Sequence, residues 1–352
     1  MVQKICVVGA GVVGLSCAVR MKDVLGDSVT VTIIADKFFK ETTSHVAAGG
    51  IRFDSAPTIS GYKGSRQNVG RDVAFISFNE YYAGASRPDA KKAGMHIIEG
   101  YSLKYPGVRD KHQELLYREM CKRWYPVPEE ELRAIFPLLP KGSEGDFLES
   151  VMISPRTYMP WLMQRFIQKG GMVKNAHVNS FDELWPEYDV VFNCTGLRSP
   201  ALTTDDSVYP VRGQVIRALL PASEKKFTYV NNGTDRPPYY YWTPDGTVLG
   251  GTKLERRADM NVLEADHDFI MDVTKKWFPF LNITEEKVVE ESVGLRPYRP
   301  SIRLELEELR HEGAKKILIH NYGHGSHGVG LSWGCAVVAV EMLTNALLQS
   351  KL

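Results

Sequence analysis

Residues 5–14 read Ile5-Cys6-Val7-Val8-Gly9-Ala10-Gly11-Val12-Val13-Gly14. The first four are apolar and mostly β-branched, the pattern of a short strand buried in a parallel sheet. Three glycines follow with GxGxxG spacing, and an amphipathic helical stretch continues to about Leu25. Gly9 permits a tight turn, Gly11 lets the backbone approach a pyrophosphate, and Gly14 lets helix and strand pack closely. The helix start, from Ala10 through Val12 and Val13, offers open N–H groups and a positive dipole end to phosphate oxygens. A second β-branched strand, Val29 to Ile34, leads to Asp36, placed to accept hydrogen bonds from an adenosine ribose. In this order the unit binds a dinucleotide. The fingerprint alone does not say which one.

Two features further along favour FAD over NAD. After Asp36 and Lys37 come the hydroxyls Thr42-Thr43-Ser44 and the small residues Ala47-Ala48-Gly49-Gly50. Hydroxyls followed by small side chains suit a loop passing close to a pyrophosphate and a flat ring system. Asp189 to Gly196 reads as another buried strand ending in Thr195-Gly196, and many FAD proteins close the sheet beside the dinucleotide with such a strand. In isolation it also fits an ordinary core strand and turn.

The βα pattern recurs in three separated blocks, 1–50, 148–196 and 293–352. The last holds a strand at Ile317 to His320, a glycine-rich turn, and a helix from about Ser332 to Leu348. Between the blocks, 51–147 and 197–292 are richer in Pro, aromatics and alternating runs such as Thr247 to Gly251. The expected fold is therefore α/β (α+β overall): a Rossmann-like FAD-binding domain in three discontinuous pieces, with an inserted, mainly antiparallel β substrate domain.

The chain has 352 residues, long enough for two domains, and a formal charge of +1, which gives no whole-surface attraction to nucleic acid or acidic membrane. No uninterrupted apolar run reaches the roughly 18 residues of a membrane span. Five widely spaced cysteines lack metal-ligand spacing and read as buried reduced thiols. The final residues, Ser350-Lys351-Leu352, match a peroxisomal address read by an import receptor, so the expected location is the peroxisome. A polar helix end is the plainer alternative.

The C-terminal third carries the most specific runs: Gly294-Leu295-Arg296-Pro297-Tyr298-Arg299-Pro300, His320-Asn321-Tyr322-Gly323-His324-Gly325-Ser326, and Ser332-Trp333-Gly334-Cys335-Ala336. Together with Asp36-Lys37-Phe38, Val46-Ala47-Ala48-Gly49, Pro210-Val211-Arg212-Gly213-Gln214 and Leu249-Gly250-Gly251-Thr252, they closely resemble the D-amino-acid oxidase and D-aspartate oxidase family over essentially the whole chain. The resemblance implies non-covalent FAD and oxidative deamination of a D-amino acid by O2. The imino acid then hydrolyses to a 2-oxo acid and ammonia, and hydrogen peroxide forms. Hydride passes directly from substrate Cα to the flavin, so no catalytic acid or base is expected.

The same resemblance assigns Arg296 to the substrate α-carboxylate, with Tyr239 beside it and Tyr240 as the alternative after a one-residue slip. Ser326 offers a backbone carbonyl to the amine, and Gly325, Gly328, Val329 and Gly330 line the flavin edge. Gly330 departs from the family's Thr or Ser, so one side-chain hydrogen bond to the flavin is expected to be missing. Val178 matches a backbone contact to adenine; Arg299 and His324 read as structural. Tyr298 after Arg-Pro, Ser326, and Lys253 where the aspartate branch has an arginine favour an acidic side chain, D-aspartate first. Arg52 and Arg236 are alternative second cations. Neutral or basic D-amino acids, a glycine or sarcosine type of flavin oxidase, and a catalytically silent FAD protein remain the competing readings.

Overall fold

The computed structural model describes residues 2–53, 55–108, 116, 118–220 and 226–349. The tripeptide Ser350-Lys351-Leu352 lies outside the described residues.

The opening unit folds as its pattern predicts. Gln3–Ala10 is a strand, Val12–Leu25 a helix, and Val29–Phe38 a second strand parallel to the first, with Ile5 opposite Val31 and Val7 opposite Ile33. Gly9 turns the chain with φ of 108°, a conformation that residues with a Cβ rarely adopt. A Cβ on Gly14 would overlap the carbonyl oxygen of Gly9, so helix and strand stand at a separation only glycine permits.

Val190–Asn193 pairs in parallel with the other edge of Gln3–Ala10, and Ala314–His324 pairs in parallel with Val190–Asn193. Met172–Asn175 closes the far edge beside Val29–Phe38. These strands come from distant parts of the sequence: Val190–Asn193 and Ala314–His324 carry the apolar run of a buried parallel strand, whereas Met172–Asn175, at the edge, is exposed throughout. Val12–Leu25 packs on the helices Pro155–Gln168 and Gly328–Gln349, and Val69–Ala85 lies on the latter. The helical stretch Gly325–Gln349 is apolar and long enough to cross a membrane, but 67% of its most apolar window is buried, so it serves as a core helix.

The remaining strands are mainly antiparallel. Tyr209–Ala218, Thr247–Gly250, Tyr239–Tyr241 and Lys226–Asn231 follow one another antiparallel. Lys226–Asn231 then joins Met95–Lys104 in parallel, and Glu144–Ile153 pairs antiparallel with Met95–Lys104. The two patterns belong to one continuous sheet, fifteen strands among the described residues. Their junction is the strand Val288–His311. Its first part pairs with Tyr209–Ala218, its second with Ala314–His324, and the register shifts between Tyr298 and Arg303.

The Gly14 contact gives a direct test. Gly14→Ala forces a methyl group into a carbonyl on a central strand, and overpacking of this kind costs about 1–3 kcal/mol. The urea midpoint of the variant should fall by a corresponding amount, with less flavin retained after purification. An unchanged midpoint would show that the helix can retreat from the strand.

Candidate active site

A cavity of about 620 Å³ runs along the C-terminal ends of the first strands, where the sheet passes from one pairing pattern to the other. At one end lies Asp36, closing Val29–Phe38; at the other lie Arg296 and the turn at 325–330. Gly9, Ala10, Gly11, Val12 and Val13 form part of its floor, with Gly14 behind them as the packing contact. Lys37, Thr43, Ser44, Ala48, Gly49 and Gly50 form the facing wall. This wall is tied back to the floor: Val12 N–H donates to Ser44 Oγ at 3.2 Å, and Thr43 Oγ1 donates to the Leu295 carbonyl at 3.1 Å. A Cβ on Gly50 would overlap the Tyr241 ring, so the passage beside it stays thin and flat. The glycine-rich cradle, the helix start and the flat passage fit a dinucleotide carrying a large planar ring.

At the adenosine end, the Asp36 carboxylate meets His177 Nδ1 at 2.6 Å, and Arg198 Nη1 stands 3.6 Å away. Partial burial disfavours its charge, but the His177 hydrogen bond, with Arg198 close by, outweighs this and holds the carboxyl below its ordinary value. Val178 is buried and lines the cavity, and its carbonyl accepts from Arg198 Nη2 at 3.1 Å. Neither His177 nor Arg198 had been singled out in the sequence.

The opposite end is cationic. Arg296 projects from the long strand Val288–His311, and its Nη1 donates to the Thr252 carbonyl at 3.2 Å. The guanidinium lies against Gly213, where any Cβ would overlap it. The neighbouring Arg212 points to the other face of the strand, fully buried, with Asp266 at 2.7 Å and Asp259 at 2.9 Å. Alternation along Tyr209–Ala218 thus separates a structural guanidinium from the space used by Arg296.

The same alternation resolves the tyrosine run. Tyr239 and Tyr241 line the cavity, whereas Tyr240 packs on Phe278 at a ring separation of 5.0 Å. Burial pushes the Tyr239 hydroxyl up, against the pull of Arg296, which hydrogen-bonds it. Arg52 reaches the same end: its guanidinium lies 3.5 Å from the Tyr229 ring centroid and hydrogen-bonds Tyr241. Lys253 joins them, and burial, followed by repulsion from Arg296 and Arg52, pushes its ammonium down.

The structure thus brings Arg296, Tyr239, Lys253, Arg52 and Ser326 to one end of one cavity, with Gly325, Gly328, Val329 and Gly330 along its edge. A Cβ at Gly330 would sit in ordinary contact with Phe53, 3.4 Å away, so space does not demand glycine there. Arg236 requires a correction. It does not line the cavity: its Nη2 lies 3.0 Å from Asp266, and its guanidinium stacks over Phe269. A buried carboxylate captures it and removes it as a second cation. Arg299 is likewise engaged elsewhere, with Asp205 at 2.8 Å. His324 is buried at the end of its strand, where enclosure and then His327 hold it down to about 3. Tyr229, Tyr241 and His327 line the site without having been expected there. Tyr241, beside Tyr239 and Tyr240, and His327, beside Ser326, adjoined residues already marked; Tyr229 did not.

Comparison with known proteins accords with this geometry. The family described as FAD dependent oxidoreductase matches residues 4–342. Human (Homo sapiens) D-aspartate oxidase is 30% identical over 98% of this chain and 95% of its own length. A D-amino acid oxidase of Dugesia ryukyuensis is 32% identical, covering 99% of both chains. Among solved structures, glycine oxidase from Bacillus cereus superposes with a TM-score of 0.68 at 16% identity, covering 98% of this chain and 95% of that one, a likeness of fold alone. Matched across nearly all of its length, the chain belongs to the FAD-dependent oxidoreductase family that includes the D-amino-acid and D-aspartate oxidases.

Proposed function

We propose that the protein oxidises D-amino acids with O2, releasing an imino acid that hydrolyses to the 2-oxo acid and ammonia, and hydrogen peroxide. We further propose that it favours acidic side chains, D-aspartate first. The observation that carries this reading is the gathering of Arg296, Lys253 and Arg52 at one end of the cavity.

FAD, when bound along the cradle, supplies the electron acceptor that no side chain provides. The chain's own task is to bind and orient. Arg296 presents a planar fork that matches a carboxylate, and the Tyr239 hydroxyl beside it adds a donor for the same group. Gripping the α-carboxylate at two points fixes the direction of the Cα–H bond. The Ser326 carbonyl is available for the substrate amine. Enclosure by Tyr229, Tyr239 and Tyr241 strengthens each of these interactions by limiting water.

The acidic preference follows from like charges held together. Lys253 is pushed down by burial and by the two guanidiniums. A second carboxylate relieves that repulsion, whereas a basic side chain adds to it and a neutral one leaves it standing. Glycine-type substrates make no use of Lys253 or Arg52. Relatives named for D-aspartate and for D-amino acids match at similar identity, so the cation cluster is the feature favouring the first group.

Three outcomes are expected. Denaturing the yellow protein with acid or urea should release all its flavin, because no side chain is assigned as a covalent anchor; flavin co-migrating with the polypeptide would contradict this. Arg296→Ala should keep its flavin but lose roughly two to four decades of kcat/KM, the equivalent of about 3–5 kcal/mol for breaking a buried charge pair. Activity within threefold of the parent would remove Arg296 from carboxylate binding. In a peroxide-release assay, kcat/KM should rank D-aspartate and D-glutamate above D-alanine, with D-arginine lowest and L-amino acids inactive. D-alanine or D-arginine ahead of D-aspartate would refute the acidic preference and leave the oxidase chemistry intact.

A further inference from the structure

Between Thr247–Gly250 and Leu254–Glu255 the chain slips by one residue against Tyr209–Ala218. Leu249 stands opposite Ile216 and Leu254 opposite Arg212, so residues 213–215 face the longer stretch 250–253. An extra residue of this kind is a bulge: it interrupts the ladder, and a backbone donor on the facing strand must be satisfied in another way. Gln214 lies in the interrupted stretch, fully buried, and its N–H donates to Thr252 Oγ1 at 2.7 Å. A side-chain oxygen thus stands where a strand carbonyl would have been. Thr252 is itself buried at the cavity wall.

The Thr252 carbonyl serves the site instead of the ladder. It accepts from Arg296 Nη1 at 3.2 Å, and in the same peptide group the Lys253 N–H donates to the Asp235 carbonyl at 2.8 Å. Arg296 arrives from the strand on the far side of Tyr209–Ala218. Its guanidinium crosses over Gly213, where a Cβ would stand 2.3 Å from Nη1. One peptide group is therefore held at both ends, and each bond polarises the other.

We infer that Thr252 is the positioning residue for the carboxylate-binding arginine: its hydroxyl holds the bulge against Gln214, and its carbonyl sets the angle of the Arg296 guanidinium. The inference rests on the reading of Arg296 given above. A guanidinium charge attracts a carboxylate in many orientations, whereas the Cα–H bond takes its reactive direction only when the fork is aligned. Loss of the hydroxyl therefore leaves binding of a plain carboxylate nearly intact and slows the step that breaks Cα–H.

The test uses the flavin-loaded enzyme. Thr252→Val keeps the branched shape and removes the hydroxyl; Thr252→Ser keeps the hydroxyl. Two quantities are read: the rate of anaerobic flavin bleaching by a saturating D-amino acid, the one the parent oxidises fastest, and the Kd of butyrate, a carboxylate without an amine, from the change in flavin absorbance. In Thr252→Val the bleaching rate should fall about tenfold or more while the butyrate Kd stays within about threefold, and Thr252→Ser should bleach within about threefold of the parent. Placed on Arg296→Ala, Thr252→Val should cause no further loss of kcat/KM, because it acts through the guanidinium. If Thr252→Val fails to hold flavin, Thr252→Cys, whose thiol accepts weakly, replaces it throughout. Four results overturn the role of Thr252 and leave Arg296 its own: a parent-like bleaching rate, a butyrate Kd weakened as much as the rate, a serine variant as slow as the valine one, or a full additional loss on Arg296→Ala. Parent-like activity in Arg296→Ala alone overturns the reading of Arg296, and this inference with it.

Discussion

The strand Val288–His311 belongs to two neighbourhoods at once. Over its first part it is hydrogen-bonded to Tyr209–Ala218, and over its second to Ala314–His324, which stands in the parallel sheet. Arg296 lies just before the register shift. A single length of extended backbone therefore fixes the guanidinium relative to the cofactor cradle. Backbone hydrogen bonds hold a strand more rigidly than a loop would, and substrate orientation tolerates little play. Gly213 makes the arrangement possible by leaving the opposing strand bare where the guanidinium lies.

The cost of the site is visible in its charges. Arg296, Arg52 and Lys253 share one enclosed end, and like charges in such a place destabilise the folded chain. Aromatic faces and carbonyls temper the cost: Arg52 lies on Tyr229, Arg296 donates to Thr252, and tyrosine hydroxyls meet both guanidiniums. Arg212, one residue from the cavity wall, shows the contrasting case of a buried guanidinium saturated by two carboxylates and two carbonyls. The first set lines the cavity; the second fastens the chain.

Local pattern made the cofactor half legible. Strand, turn, helix and strand lie within residues 3–38, and Gly9 and Gly14 there answer steric demands that sequence spacing expresses directly. The substrate half is assembled from residues far apart in the chain, and strand register decides which side chains converge. Tyr239 and Tyr241 face the cavity and Tyr240 does not, a consequence of pairing with Thr247–Gly250 that no window of sequence contains. Arg236 looked equivalent to Arg52 until Asp266, on the helix Glu264–Trp277, drew it away. His177 and Arg198 escaped notice for the same reason, since only the fold brings them to Asp36.

The cradle joins residues 9–14 to residues 325–330, the turn that opens the helix Gly328–Gln349. A ribosome that has made the glycine turn must synthesise most of the chain before that cradle has its far wall. Until then the nascent protein exposes a sheet lacking the strand Ala314–His324 and a helix, Val12–Leu25, lacking its partner Gly328–Gln349. Long-range closure of this kind is slow and leaves apolar surface uncovered while it waits. Cofactor capture thus waits for residues 325–330 rather than following the first turn. A ligand that prefers the form in which residues 9–14 and 325–330 have met draws the chain towards that form by mass action.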